Sequence, residues 1–158
     1  MTSTPTLASG AQSYCLFHRG GLDFALPLRV AGRAVPAKPL TSVPFAPPEL
    51  CGVFLDRRRV VPVVRPDRWL GLPSHLMPPA ASWLLLDDGN VALALLVDRL
   101  LGVARFADRE VNRALAHPMA AGMVAHESRT VVLLDPDRLI PTITGTLLAA
   151  LPRRAKAA

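Results

Sequence analysis

The feature that most constrains this chain is that it repeats itself. The stretch YCLFHRGGLDFALPL, starting at Tyr14, and the stretch WLLLDDGNVALALLV, starting at Trp83, share one pattern at an offset of 69 residues. Tyr14 meets Trp83, Leu16 meets Leu85, Gly20 meets Gly89, and Ala25-Leu26 meets Ala94-Leu95. Further on, GVFLDRRRVVPVVRPDRWL from Gly52 aligns with GMVAHESRTVVLLDPDRLI from Gly122 at an offset of 70. There Gly52 meets Gly122, Arg59 meets Arg129, and Pro66-Asp67-Arg68 meets Pro136-Asp137-Arg138. Two copies of a unit of about 70 residues argue against a solenoid, which uses shorter and more numerous repeats. They point to two similar lobes with a groove between them.

Within each copy the apolar runs are short and bounded by turn residues, the pattern of strands. YCLFH and LDFALPL flank RGG, and WLLLD and VALALLV flank DGN, so each copy opens with a hairpin. Asp88 and Gly89 supply turn chemistry, through a side chain that bonds its own backbone and a residue that tolerates positive φ. GVFLD with RVVPVV, and GMVAH with TVVLL, form a second hairpin in each copy, and LGVARF (101–106) adds a strand. Small β units of this size close into barrels, which removes exposed edges. The expected fold is therefore all-β, with two similar five-stranded barrels. PDRWLGL and PDRLI each start a short helix with proline at its first turn. TITGTLLAAL reads as an amphipathic C-terminal helix, weakened by Gly145.

Residues 33–48 carry five prolines and read as a surface connector, because proline removes a ladder donor. Residues 107–121 form the matching connector in the second copy, and 73–81 link the lobes. The expected organisation is a disordered tail at 1–12, a domain at 13–140 with lobe one at about 13–72 and lobe two at about 82–140, and a C-terminal helix with a basic tail at 141–158. The opening MTSTPTLASGAQS has neither a basic n-region nor an apolar h-region, so no secretory leader is expected. No apolar run reaches the roughly 20 residues of a membrane span, so no direct membrane insertion is expected.

Chemistry is sparse. Cys15 and Cys51 sit in apolar contexts and make neither a disulfide framework nor a metal cluster. His18, His75, His117 and His126 are scattered through turns and linkers, with no metal-ligand spacing. Asp87 and Asp88 are adjacent, so in a strand they would face opposite ways, and a turn explains them better than a catalytic pair. Ser74, Ser82 and Ser128 have no nucleophile-elbow context, and Gly20-Gly21 has no phosphate-cradle setting. No catalytic residue, cofactor or metal is expected, and the chain reads as a non-enzyme.

The formal net charge of +6 raises the question of an anionic partner. A small basic nucleic-acid-binding barrel is the alternative reading. It is disfavoured because Arg57-Arg58-Arg59 has only Phe54 and Trp69 as aromatic neighbours, and strand alternation splits the cluster between two faces.

Three stretches then resemble a known family. LLVDRLLGVARF (95–106) looks like a signature of CheW-like domains. GVFLDRRRVVPVV is similar to the family's G-V-x-N-L-R-G-x-V-x-P-V-V, and GMVAHESRTVVLLDPDRLI is similar to its closing hairpin. The resemblance runs from about Tyr14 to Ile140. It implies two SH3-like five-stranded barrels and a non-catalytic coupling protein in bacterial chemosensory signalling. It implies as partners a chemoreceptor's cytoplasmic tip and the regulatory domain of a CheA-type histidine kinase. The implied location is cytoplasmic, recruited to receptor arrays at the inner membrane.

The same resemblance implies a protein-binding set of Val30, Gly52, Leu55 and Arg57. Arg57 falls on the family arginine that contributes to receptor contact, Val30 on an apolar position near the groove, and Gly52 on the glycine opening the hairpin. Departures are concentrated here: Leu55 replaces the family's asparagine, Arg58 its turn glycine and Arg65 its aspartate. Ala31-Gly32-Arg33 stands where an acidic residue usually follows the Val30 position. Such drift fits a divergent paralogue serving a non-flagellar system.

Overall fold

The structure, a computed structural model, describes residues 10–73 and 82–150. Its strands are β1 (Gln12–Arg19), β2 (Leu22–Pro27), β3 (Arg33–Pro36), β4 (Leu50–Asp56), β5 (Arg59–Val64), β6 (Ser82–Asp87), β7 (Ala92–Leu96), β8 (Arg99–Phe106), β9 (Ala120–His126) and β10 (Arg129–Leu134). The helices are α1 (Asp67–Leu70) and α2 (Pro136–Ala149), and Asp108–Glu110 forms one 3₁₀ turn. The strands make two five-stranded sheets, as the repeat predicts.

The assignment of strands to sheets departs from the expected lobes. Sheet A runs β8-β1-β2-β10-β9, and sheet B runs β3-β6-β7-β5-β4. Each sheet takes the opening hairpin of one copy and the remaining three strands of the other. The lobe boundaries at about 13–72 and 82–140 therefore divide the repeat but not the barrels. Two parallel pairings seal the exchange, β10 on β2 and β5 on β7.

The exchange explains why the opening hairpins are apolar on both faces. Phe17 and Phe24 sit opposite each other in the β1–β2 register and stack with centroids 5.6 Å apart. They face a core between the barrels, with Leu84, Leu86, Leu93 and Leu95. Their strand neighbours Leu16 and Ala25 face the interior of barrel A with Phe106, Val124, Val131 and Leu133. Trp83, Leu85 and Ala94 face the interior of barrel B with Val35, Phe54, Val61 and Val63. Alternate residues of one strand thus fill two different cores, which gives the continuous apolar runs of doubly buried strands.

Three expectations need correction. The connector expected at 33–48 begins with a strand: β3 pairs with β6 from Arg33↔Leu85 to Pro36↔Ser82. Its Pro36 is tolerated because β3 is an edge strand. PDRLI and TITGTLLAAL are one helix, so a boundary at 140–141 falls inside α2. In copy one, Gly71 turns left-handed (φ 74°) and stops α1 after one turn. The aligned residue in copy two is Pro141, whose ring fixes φ near −65° and forbids that left-handed stop; α2 runs on past it although proline has no amide to donate. Its Leu139, Ile140 and Ile143 fill the core between the barrels. Finally, Gln12 already opens β1, while residues 1–9 of the expected tail, most of the 73–81 linker and residues 151–158 lie outside the described residues.

Candidate functional site

Gly52 and Gly122 hold the second hairpins in place. A Cβ at Gly52 would lie 2.8 Å from Leu40 Cβ and 2.9 Å from Thr41 O; at Gly122 it would lie 2.6 Å from Val111 Cγ1 and 2.8 Å from Asn112 O. The connectors cross the strands at these points, where Thr41 exchanges both backbone hydrogen bonds with Val53, and Asn112 does so with Met123. Gly52 is buried beneath the crossing, so its contribution is to shape the hairpin.

The arginine cluster is a hairpin tip. Asp56 pairs with Arg59, and Arg57 and Arg58 make the turn at φ 50° and 71°. Positive φ at both central residues is the type I′ arrangement that normally recruits Asn-Gly. Glu127 and Ser128 repeat it in the second copy at φ 48° and 65°. A side chain held left-handed costs about 1–2 kcal/mol. Arg58→Gly should therefore stabilise the protein by about 1 kcal/mol, read as a rise of about 2–4 °C in melting temperature. An unchanged or lower melting temperature would mean that the Arg58 side chain makes compensating contacts.

Leu55 and Val60 face each other on the outside of this hairpin, 65% and 68% exposed. They form an apolar pair open to solvent beside the charged tip. Val30 is only 4% exposed and packs into the core between the barrels. It nevertheless lines, with Arg57, a pocket of about 220 Å³ at the mouth of barrel B. Val30 O accepts a hydrogen bond from the Asp87 amide at 2.9 Å, which ties the β2–β3 turn to β6. The structure thus brings Val30 and Arg57 to one pocket, sets Leu55 on the outer hairpin face, and buries Gly52.

Charges around the pocket are partly paired. Arg33 donates to the buried Asp56, and Arg59 Nη2 donates to Asp87 Oδ2 at 2.9 Å. The Gly89 amide and the Arg59 guanidinium hold the Asp87 carboxyl below the usual carboxylate range. Asp87 and Asp88 have the turn role read from the sequence: Asp87 accepts from the Gly89 amide, and Asp88 accepts from the Asn90 and Val91 amides. Phe54 and Trp69, the aromatics nearest the arginines in sequence, are both buried and offer no face for stacking. No group of three or more histidine, cysteine, aspartate or glutamate side chains suited to a metal occurs among the described residues.

A family model described as CheW-like domain matches residues 13–144. The chain belongs to the CheW-like family. Its fold is similar to that of the crystal structure of the scaffolding protein TtCheW from Thermoanaerobacter tengcongensis, with a TM-score of 0.68 at 12% identity over 78% of this chain and 84% of that one. None of the curated proteins matches. No helix among the described residues of this CheW-like chain is long and apolar enough to cross a membrane.

Two charged groups escaped the sequence reading. The scattered histidines included His18, which is a strand residue in an ordered network. Its Nδ1 lies 2.7 Å from Asp23 Oδ1, and Asp23 also accepts both Nε and Nη2 of Arg129 from β10. The Arg129 hydrogen bonds are the main reason that the buried Asp23 carboxyl titrates below its usual range. A carboxyl with a depressed folded pKa adds stability above its unfolded pKa of about 4, and this is lost as pH falls through the folded value. Asp23→Asn should therefore lower stability at pH 7 and flatten its fall below about pH 4. Identical acid limbs in chemical denaturation of the two proteins would refute this assignment. The second missed group, Arg19 with Asp67 and Asp98, shares no residue with the lining of the barrel B pocket.

Proposed function

We propose that this chain is a non-catalytic adaptor that couples a chemoreceptor's cytoplasmic tip to the regulatory domain of a CheA-type histidine kinase. The observation that carries the reading is the family match, which spans both barrels and most of α2. The structurally similar TtCheW is itself described as a scaffolding protein. The hairpin tip supports the reading physically. Arg57 sits beside a solvent-exposed apolar pair, and contacts between proteins draw energy from apolar area while arginine supplies directed hydrogen bonds. On this reading the protein works in the cytoplasm, at receptor arrays on the inner membrane.

The nucleic-acid alternative gains nothing from the tip, since stacking is what retains unpaired bases and both nearby aromatics are buried. The test is affinity capture from a lysate of the source organism, analysed by mass spectrometry, with wild-type protein and Arg57→Ala. Wild-type protein should retain a CheA-type kinase and a chemoreceptor, and Arg57→Ala should lose the receptor and keep the kinase. Recovery of nucleic acid alone would overturn the proposal.

A further inference from the structure

We propose that the mouth of barrel B is a carboxylate-reading pocket, and that the partner segment seated on it carries acidic side chains. This rests on the adaptor reading and adds the chemistry of the receptor contact. Four arginines line the pocket: Arg29, Arg33, Arg57 and Arg59. Two are answered within the protein, Arg33 by Asp56 and Arg59 by Asp87. Among the described residues Arg29 pairs only with the exposed Asp137, 3.9 Å away, and such a surface pair holds its partner weakly. Arg57 makes no ion pair with any described residue. The turn holds it in a left-handed conformation at the rim.

The excess is local and does not simply reflect the chain's overall charge. The corresponding pocket at the mouth of barrel A, about 200 Å³, places Asp23 and Glu127 among Arg99 and Arg129 and is balanced. Glu127 occupies there the turn position that Arg57 occupies in barrel B. The two mouths are alike in architecture and opposite in the sign of the residue at the tip. The barrel B pocket also has apolar walls, from Val30 and Leu85. A glutamate or aspartate suits both parts, its methylenes against the apolar wall and its carboxylate against the arginine fork. A nucleic-acid phosphate would find the charge, but the pocket lining holds no aromatic ring on which a base could stack.

The test uses soluble coiled-coil fusions of the chemoreceptor tips encoded in the source genome, titrated against the full chain at about 50 and about 300 mM salt. Wild-type affinity should fall about tenfold over that range. At the lower salt Arg57→Glu should lose at least about tenfold and Arg57→Gln less, while Arg58→Glu, outside the pocket, should change it less than about twofold. A tip with one carboxylate changed to lysine should bind Arg57→Glu better than wild type. Unchanged melting curves establish that the variants are folded. If a tip binds but neither salt nor Arg57→Glu moves the affinity, the carboxylate pocket is wrong and the adaptor reading stands. An equal loss in Arg58→Glu would reduce the effect to general attraction and also overturn the pocket. If no tip binds wild-type protein, the receptor half of the adaptor reading falls with it. Displacement of a bound tip by duplex DNA at the Arg57 site would overturn the choice of a protein carboxylate.

Discussion

Replacing Arg19 with methionine should cost about 3–5 kcal/mol of stability, the range for removing one partner of a buried ion pair. Arg19 is 0% exposed. Its guanidinium donates twice to the buried Asp67, at 2.8 and 2.9 Å, and once to Asp98 at 2.9 Å. Asp98 also accepts from the Gly20 amide at 3.0 Å. Arg19 ends β1 in sheet A, Asp67 opens α1 after β5 of sheet B, and Asp98 lies between β7 and β8, so one side chain pins three segments. The methionine variant leaves the buried Asp67 charged without the guanidinium that pairs with it, and that penalty is the main part of the cost. The melting temperature should fall by about 10 °C, at about 2–4 °C per kcal/mol for a chain of this length. Adding Asp67→Leu should recover much of the loss, because the stranded charge goes with it. A double variant no better than the single one would locate the cost in lost packing of the Arg19 stem.

Gly122→Ala should be nearly as damaging, at about 3 kcal/mol, the upper part of the usual range for overpacking. The added methyl would stand 2.8 Å from Asn112 O, a backbone atom already fixed by its hydrogen bond with the Met123 amide. It can be relieved only by moving the connector off β9. Gly52→Ala repeats the test in copy one, against Leu40 and Thr41. Gly89→Ala is the control, since nothing lies within 4 Å of a Cβ there and only its positive φ resists the change. Equal losses at Gly122 and Gly89 would show that conformation, and not the crossing, is the cause. Thermal denaturation of the three variants decides it.

Most of the strands were legible because apolar alternation and turn residues are local signals. Asp88-Gly89 turns where its chemistry says, and the tip at Arg57-Arg58 turns without glycine because the flanking strands pair up to Asp56↔Arg59 and impose it. The exchange between copies was not legible. The pattern Leu16-Phe17 reads the same whether the neighbouring strand comes from its own copy or the other, since alternation reports burial and not the identity of the partner. The repeat also misleads at Arg19. Its aligned residue is Asp88, an exposed turn residue that accepts from the Asn90 and Val91 amides, whereas Arg19 is the least exposed charged residue among the described residues. Val30 and Arg57 carried a signal through the family pattern. Arg33 showed only as a departure from the family's acidic residue and Arg29 carried no signal, because a turn and an edge strand had to be folded before they met Arg57.

The interleaving of the two copies also sets a timetable for synthesis. β1 and β2 leave the ribosome first but lack their flanking strands until β8 and β10 follow, with Gln12 waiting for Phe106 and Asp23 for Val131. Sheet B likewise cannot be assembled when β5 is complete, because β6 and β7 form its centre. A nascent chain holding only the first copy has two half-sheets with open edges and no finished barrel, the state in which strands are most prone to pair with the wrong neighbour. Closure depends on contacts distant in sequence, which fold slowly. The two copies of the repeat are therefore not two independent domains: each half is the template on which the other is completed.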